Sequence, residues 1–579
     1  MAFIQAIMTH HELDIQGALA ALQTTYTIAQ AQIVNTNRRP TSLMTSFTRY
    51  FGEKSTTTPL TFLANSILRA HVIKAEASLL TAILQLLRGS LVGYLRCGLH
   101  LRRAYCSYQL VWQEYKRMGQ ETTKYMDRDT VSGIQFGMGA VQLILASLPA
   151  KMMQLNTMVG WSCDKQLGFA LLKLCTESRG IRSSLASLVL LGYYNILTSF
   201  APQLYTESLM DPALTCLADA QHQQPRSSFF LYFAARFARG AHNLALSTQT
   251  FHHVADSCQG EWTESTLRHL TDHEQGMNEA LQLNWEGCLG IFTDLGRQAY
   301  WSPAFSKYMV GACCEMMGQR TEAILAFAQV DSLIQQTLAA DDGTAGHRRR
   351  HILYIDTYLQ KKVQRYQVGG YQDMDLHLPA LEMLLVWNMF EWMENDSLDQ
   401  CLERLTYTLD LVYERERMEF GVRQKTLLPT TKPPNYHDLR ASLLLIQAAI
   451  LNAQRQSQQA IPHLNWILDH RRHFKHDPWL VPFTYWGKSC TVVRWVHLID
   501  FMSFCLLEAG VACWHLGQFK KSRRLWQQAL NYSDYDFEYR LTIRLGLALM
   551  KCDEMGIRDD PTTTASTTTS NGRKRLPLA

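Results

Sequence analysis

Charged side chains are scarce in this chain. Asp, Glu, Lys and Arg make up 18% of its 579 residues, below the quarter or so usual for globular domains, a deficit that fits helices buried on both sides. The formal net charge of +5 is small for this length and gives no case for nucleic acid. None of the 14 cysteines forms a C-x-x-C pair. Most fall at helix-face positions, Cys313 and Cys314 among them, so they read as reduced, buried small hydrophobes of a cytoplasmic protein rather than as a disulfide framework. The opening MAFIQAIMTHHELD lacks the basic start and the cleavage site of a secretory signal. No stretch alternates with the period of a strand. What remains is a chain with 47% hydrophobic residues, long enough to bury a sizeable core, and helical in its periodicity.

The most informative stretch is Trp301 to Leu333, WSPAFSKYMVGACCEMMGQRTEAILAFAQVDSL. Val310, Gly311 and Cys314 share one face of a first helix. Gly318 ends that helix, where a residue with positive φ is wanted. Ala323, Phe327 and Val330 return at spacings of four and three on a second helix. Gly311 and Ala323 let two backbones approach closely, and Phe327 fills the space beyond. This resembles the tetratricopeptide pattern of about 34 residues, with Cys314 where that pattern prefers Tyr and Val330 where it prefers Ala. In EAGVACWHLGQFKKSRRLWQQAL the same places are held by Gly510, Cys513, Gly517, Ser522, Trp526 and Ala529. Gly546, 36 residues after Gly510, could open a further unit. A fainter copy runs from Phe229 to His253, with Gly240 read as its turn and Ala245 as its close-packing residue. Another runs from Ala441 to Leu468, with Ala448 and Ala460, and is weakened by Pro462 inside its second helix. The expected fold is all-α: a tetratricopeptide-like helical repeat solenoid with additional non-repeat helices.

The expected organisation follows from composition breaks. Residues 1–34 are N-terminal helices that begin inside an apolar run, as a truncated repeat would, and 35–59 is a polar linker containing NTNRRP and KSTTTP. Residues 60–210 are a helical region and 211–338 the first repeat block. Residues 339–439 hold connecting helices and linkers, among them the loop AADDGTAGHRRRH, a helix over 376–394 and the Pro-rich TLLPTTKPP. Residues 440–552 are the second repeat block, and 553–579 a low-complexity tail expected to be disordered.

Two segments are long and uncharged, Thr130 to Ala150 and Ser183 to Thr206. Their length would span a bilayer, and Gly133 and Gly137 have a G-x-x-x-G spacing. Against this, Ser132, Gln135, Gln142 and Ser147 interrupt the first, and Asn195, Pro202 and Gln203 the second, which is expected to break near Tyr193-Tyr194. Helices buried among protein neighbours carry such polar residues more readily than lipid-facing ones. Membrane association without spanning is therefore the alternative reading.

Chemistry is mostly missing. Gly487-Lys488-Ser489 has the end of a phosphate-binding loop, but Pro482 stands where its first glycine belongs and no strand precedes it. Gly137-x-Gly139 lacks its third glycine, since position 142 is Gln, and reads as a helix–helix contact. His269 and His273 lie four apart, as metal ligands on one helix face would, with Cys258 as a conceivable third. No glutamate follows His269, and RHLTDHEQ is polar enough for an exposed face. The doublets His10-His11 and His252-His253 read the same way. No Ser/His/Asp or Cys/His grouping is visible. The expectation is no cofactor, no metal and no enzyme. A known repeat subclass grips acidic chaperone tails with basic inner-helix residues. The corresponding places here, Phe305, Tyr308, Met309 and Ala312, then Phe504, Leu507, Glu508 and Val511, carry no basic residue.

Beyond the repeats, five stretches carry a wider likeness. They are IQAIMTHHELDIQGALAAL, VSGIQFGMGAVQLILASLPAKMMQLNTMVGWSCDKQLGFALL, YWSPAFSKYMVGACCEMMG, LPALEMLLVWNMF and NYSDYDFEYRLTIRLGLALM. Together they make the chain, from Met1 to Lys551, resemble the tetratricopeptide repeat protein 39 family, which includes fungal inclusion-body-clearance proteins. The resemblance implies a non-enzymatic helical scaffold or adaptor for a protein partner, in protein quality control, lipid homeostasis or cilium assembly. It transfers no catalytic residue. The chain departs from the family in two places. Members begin with a further repeat unit, and they run from a segment like Asp477 to Pro482 almost directly into a repeat helix. Here residues 487–505, GKSCTVVRWVHLIDFMSFC, intervene as an insertion or gene-model artefact. Deleting them is expected to leave a folded protein.

Overall fold

Spacings of three and four between apolar residues run through the chain, and every regular element among the described residues is helical. The computed structural model describes residues 2–9, 12–37, 62–87, 91–147, 164–339, 353–371, 377–425, 436–477, 479–484, 508–530 and 535–557. The linkers and loops read at 38–59, 340–351 and 426–434, the Gly487-Lys488-Ser489 motif, the 487–505 insertion and the tail from 558 lie outside them.

In chain order the main helices are α1 (Ala2–Thr9), α2 (Glu12–Asn37), α3 (Asn65–Leu87), α4 (Leu91–Met118), α5 (Arg128–Ser147), α6 (Lys165–Glu177), α7 (Ser183–Phe200) and α8 (Pro202–Gln223). Then come α9 (Ser228–Gly240), α10 (Leu244–Ser257), α11 (Glu264–Leu281), α12 (Trp285–Arg297), α13 (Pro303–Met316), α14 (Arg320–Ala339) and α15 (Tyr354–Val368). The last are α16 (Pro379–Val386), α17 (Asn395–Lys425), α18 (His437–Ala453), α19 (Ser457–Asp469), α20 (Glu508–His515), α21 (Phe519–Ala529) and α22 (Glu538–Glu554). The chain divides into two compact units. One comprises residues 1–199, 207–279 and 287–307, the other 200–206, 280–286 and 308–579.

In the first unit α2 packs on α3, α3 on α4 and α5 on α6. The glycines of α5 explain the close approach. A methyl group at Gly133 would lie 2.5 Å from Val72 of α3, and one at Gly137 only 1.9 Å from the Tyr108 ring of α4. One at Gly139 would lie 2.8 Å from Leu172 of α6. The G-x-x-x-G spacing thus packs against the protein's own helices. Helix α7 runs unbroken through Tyr193 and Tyr194, both buried, and stops at Phe200 before Pro202 begins α8. The break expected at the tyrosines is absent, because packing of the pair on Phe169 outweighs the small helix-propensity cost of an aromatic residue.

Among the described residues a single helix–turn–helix geometry recurs five times. Its marker is one residue in left-handed backbone: His242, Leu283, Gly318, Arg455 and Gly517. In the turns at His242, Gly318, Arg455 and Gly517 the following amide bonds back to a carbonyl five residues earlier: Asn243 to Ala238 (3.0 Å), and Gln319 to Cys314, Gln456 to Leu451 and Gln518 to Cys513, each 2.8 Å. This is the helix-ending motif that satisfies free carbonyls. Counting from the marker, a small residue stands seven earlier: Ala235, Gly276, Gly311, Ala448 or Gly510. An Asn or Gln follows at once. Five later comes a fully buried small residue: Ser247, Cys288, Ala323, Ala460 or Ser522. Nine later comes a fully buried large one: Phe251, Phe292, Phe327, Leu464 or Trp526.

This register corrects the reading of the Phe229 copy. Its turn residue is His242 rather than Gly240, and Ala245 is exposed while Ser247 packs. It also adds a pair that sequence reading passed over, α11 with α12. Pro462 does not break α19. As the sixth residue it forfeits one backbone bond, and the buried Ala460, Leu464 and Ile467 hold the helix. The helix read over 376–394 is shorter than expected. α16 ends at Val386, with Asn388 in left-handed backbone and a 3₁₀ turn at Phe390–Trp392.

Candidate interaction surface

The repeat-packing residues lie in the second unit. A methyl group at Gly311 would sit 2.9 Å from the Phe327 ring, and one at Gly510 would sit 2.1 Å from Trp526 Nε1. Gly318 and Gly517 have φ of 76° and 71°. Ala323, Phe327 and Trp526 are fully buried. Phe327 packs between Tyr308 and Tyr366, with ring centroids 5.1 and 5.5 Å away. Ala529 ends α21.

The inner-helix positions that would line a peptide groove are not open. Phe305, Tyr308, Met309, Ala312, Glu508 and Val511 are all buried. In the second unit the chain fills its own interior with α16, all eight of whose residues are buried. A helix apolar nearly all round needs such a setting. Its one charge, Glu382, accepts from Lys362 Nζ at 2.9 and 2.8 Å, from Tyr358 Oη, and from Ser442 Oγ at 3.3 Å. Burial alone would lower the Lys362 ammonium, but Glu382 and Asp477 outweigh it and hold the pKa above its ordinary value. At the far end of α16, Arg540 donates to the carbonyls of Val386 (3.1 Å) and Trp387 (3.3 Å). Asn388 exchanges hydrogen bonds with Gln203. The sequence signal was present but unread: a lone Glu in LPALEMLLV, which cannot stay ionised when buried without a cation.

The first unit has a comparable buried network. Arg239 donates to Glu274 Oε2 (2.5 Å), the Glu274 carbonyl (2.7 Å) and Asn278 Oδ1 (2.6 Å), while Arg236 holds Glu274 Oε1. Burial would raise the Glu274 carboxyl, yet the two guanidiniums hold it far below the carboxylate range. Its neighbour His273 is ringed by Phe292, Tyr300, Trp301 and Phe305, with centroids 5.8 to 6.5 Å away. Burial lowers its pKa. His269 lies against Tyr300. Cys258 instead belongs to an apolar cluster with Met8 and Leu267. Among the described residues no group of three or more His, Cys, Asp or Glu could hold a metal ion, and His269 and His273 are half-buried against aromatic rings rather than on the exposed face expected. His252 and His253 are exposed.

What the second unit does present outward is a rigid basic loop after α19, His470 to His476. Asp438, at the start of α18, accepts the backbone amides of Lys475, His476 and Asp477 at 3.1, 3.2 and 3.1 Å. Arg365 grips Asp477 at 2.6 Å and the His476 carbonyl at 3.0 Å. Held this way, the loop exposes Arg471, Arg472, His473, Lys475 and His476. Beside them the rings of His437 and His473 stack at 4.7 Å, and those of Trp466 and His470 at 4.1 Å. Burial and then the neighbouring histidines lower the His437 pKa. Sequence reading missed this surface, since its parts lie on three segments that only the turn at Arg455 and the Asp438 cap bring together.

The family model for Iml2/Tetratricopeptide repeat protein 39 matches residues 1–426. The second repeat block and the NYSDYDFEYRLTIRLGLALM stretch lie outside that match, although α18–α21 repeat the same turn geometry. With well over half its length matched, the chain belongs to the Iml2/Tetratricopeptide repeat protein 39 family.

Proposed function

We propose that this protein is a non-enzymatic, cytoplasmic scaffold or adaptor that binds a protein partner on its outer faces. Membership of a repeat family of this type supports an interaction role. The observation that carries the choice of face is the filled interior of the second unit, where all eight residues of α16 are buried. The basic loop His470–His476 is the favoured outer surface, because its shape is fixed before any partner arrives and its charge suits an acidic segment. The cellular settings to test first are protein quality control, lipid homeostasis and cilium assembly. The experiment is affinity capture of the full chain with quantitative mass spectrometry, run beside Arg472→Glu/Lys475→Glu. Specific proteins recovered by the parent and lost by the variant are the expected result. Recovery of nothing above background, with turnover of a small molecule, would reverse the functional class.

A second reading is peripheral membrane association, at the outer mitochondrial or lipid-droplet surface. It rests on α7, which by length and composition is apolar enough to cross a bilayer, although half of it is buried in the protein. Carbonate extraction tests it: retention in the pellet would mean spanning, release only by carbonate would mean peripheral attachment, and recovery in the untreated supernatant would remove this reading.

A further inference from the structure

Helices α2 and α4 both pack on α3, and a cleft of about 40 Å³ opens between the three. Gln23 and Tyr26 line it from α2, Ser78 and Thr81 from α3, and His100 and Arg103 from α4. Lys74, one turn before Ser78, holds its Nζ 5.5 Å over the Tyr26 ring. Arg96, His100 and Arg103 follow at spacings of four and three, so they share one face of α4. These cations repel one another. Burial lowers the Lys74 pKa and Arg103 lowers it further, opposed by the Cys106 thiol. His100 is lowered by burial, then by Arg103 and Arg96, and His71 by burial and Lys74. No carboxylate is among the charges that move them. The described carboxylates on the surrounding elements are engaged elsewhere. Glu76 holds Arg182 at 2.5 Å, Glu114 pairs with Arg117, Glu121 with Lys124, and Asp127 and Asp129 with Arg69. Glu12 and Asp14 stand at the start of α2, roughly 13 Å or more along the helix from Gln23. Asp14 accepts from Thr9 and Gln5 there. Beyond Asp14, α2 carries no charge, and α1 carries none.

Like charges held together destabilise a fold until an anion joins them, and a cleft walled by protein concentrates their field. The size of this cleft suits a small tetrahedral anion rather than a nucleobase. Several cations converging on one point favour a dianion over a single carboxylate. We propose that the cleft binds a phosphate monoester, its phosphoryl group held by Arg103 and His100 of α4, Lys74 of α3 and the side-chain amide of Gln23 of α2. Arg103 supplies paired N–H donors, Lys74 a compact charge, and His100 and Gln23 further donors. A soluble monoester and the headgroup of phosphatidic acid present the same dianion to such a site. The cleft lies within the first unit and does not depend on the basic loop His470–His476 of the second.

Thermal unfolding of the full chain reads binding of the soluble form, because a ligand of the folded state raises the melting temperature. Inorganic phosphate should raise it more than sodium chloride of equal ionic strength does. Flotation with phosphatidylcholine vesicles, with and without phosphatidic acid, reads the lipid form. Lys74→Gln/Arg103→Gln should weaken binding roughly tenfold or more in whichever arm the parent binds. Without phosphate this variant should melt no lower than the parent, since a repulsion has been removed and both side-chain stems largely remain. Arg472→Glu/Lys475→Glu should bind as the parent does. A phosphate shift without flotation assigns a soluble monoester, and flotation that needs phosphatidic acid, without a phosphate shift, assigns the lipid headgroup. Both together mean that the phosphoryl group alone is recognised. Neither response in the parent, an equal response in the cleft variant, or an equal loss in the loop variant overturns the site.

Discussion

His242 occupies left-handed backbone with φ of 58°, and its side chain is exposed. A side chain with a Cβ is strained there by about 1–2 kcal/mol, offset in part by the lower unfolded-state entropy of a non-glycine residue. His242→Gly is therefore expected to stabilise the protein by about 0.5–1 kcal/mol in urea denaturation. Gly318→Ala, with open space around the new methyl group and φ of 76°, should cost a similar amount. Equal and opposite shifts would identify the turn's backbone as the cause; no shift in either would mean that the marker residues are not held in that conformation. Nine residues after Gly318, Phe327 is fully buried between two tyrosines. Phe327→Ala should cost roughly 3–5 kcal/mol, and the loss should spread to neighbouring units because each repeat is held by the next. An unchanged thermal midpoint would contradict the packing described here.

Element by element, the turn at Arg455 joins α18 to α19 and also gathers titratable groups. Arg455 lies 2.6 Å from Glu391, and it donates to Nε2 of His515, whose Nδ1 lies 3.1 Å from Ser457 Oγ. Burial pushes the Glu391 carboxyl up from 4.5 to about 7, although Arg455 pulls the other way. Burial and Arg455 push His515 down to about 4. The folded state binds the Glu391 proton more tightly than the unfolded chain does. Its contribution is thus complete below about pH 4.5 and lost as the pH rises through about 7. His515 has the opposite sign: its contribution is complete above about 6.5 and lost on acidification toward 4. The two oppose each other between about 4.5 and 6.5. Glu391→Gln should therefore gain on the parent as the pH rises from 4.5 to 7.5, and its stability should fall more steeply on acidification. Urea midpoints of both proteins across that range check this. A constant difference would mean that Glu391 titrates alike in the folded and unfolded chains. The same turn shows why two repeats were easy to read and three were not. Gly318 and Gly517 announce themselves, whereas His242, Leu283 and Arg455 adopt the same backbone without the residue that normally signals it. The spacing of small and large residues around the turn was legible in all five. Without glycine to anchor the count, the Phe229 copy slipped by two residues and the α11–α12 pair went unread.

For the molecule as a whole, sequence periodicity carried the all-helical repeat fold, and the buried interior was not legible. LPALEMLLV reads as a helix in any setting. Its burial on every side depends on Lys362, Ser442, Arg540 and Gln203, drawn from segments up to 337 positions apart in the chain, from Gln203 to Arg540. Local pattern cannot carry contacts of that range. The outer surface was unread for the same reason, because the basic loop gains its shape from Asp438 and Arg365 and not from its own residues. Binding on the outer faces requires that interior to be closed. Hydrogen exchange on the intact chain, followed by mass spectrometry of peptides spanning 379–386, tests it directly. If α16 fills the second unit, its amides should be among the slowest to exchange there, opening only with global unfolding, while those of α17 beyond Val412 exchange faster. Exchange in 379–386 as fast as in 413–425 would mean that the interior opens to solvent, and would make that interior available to a partner.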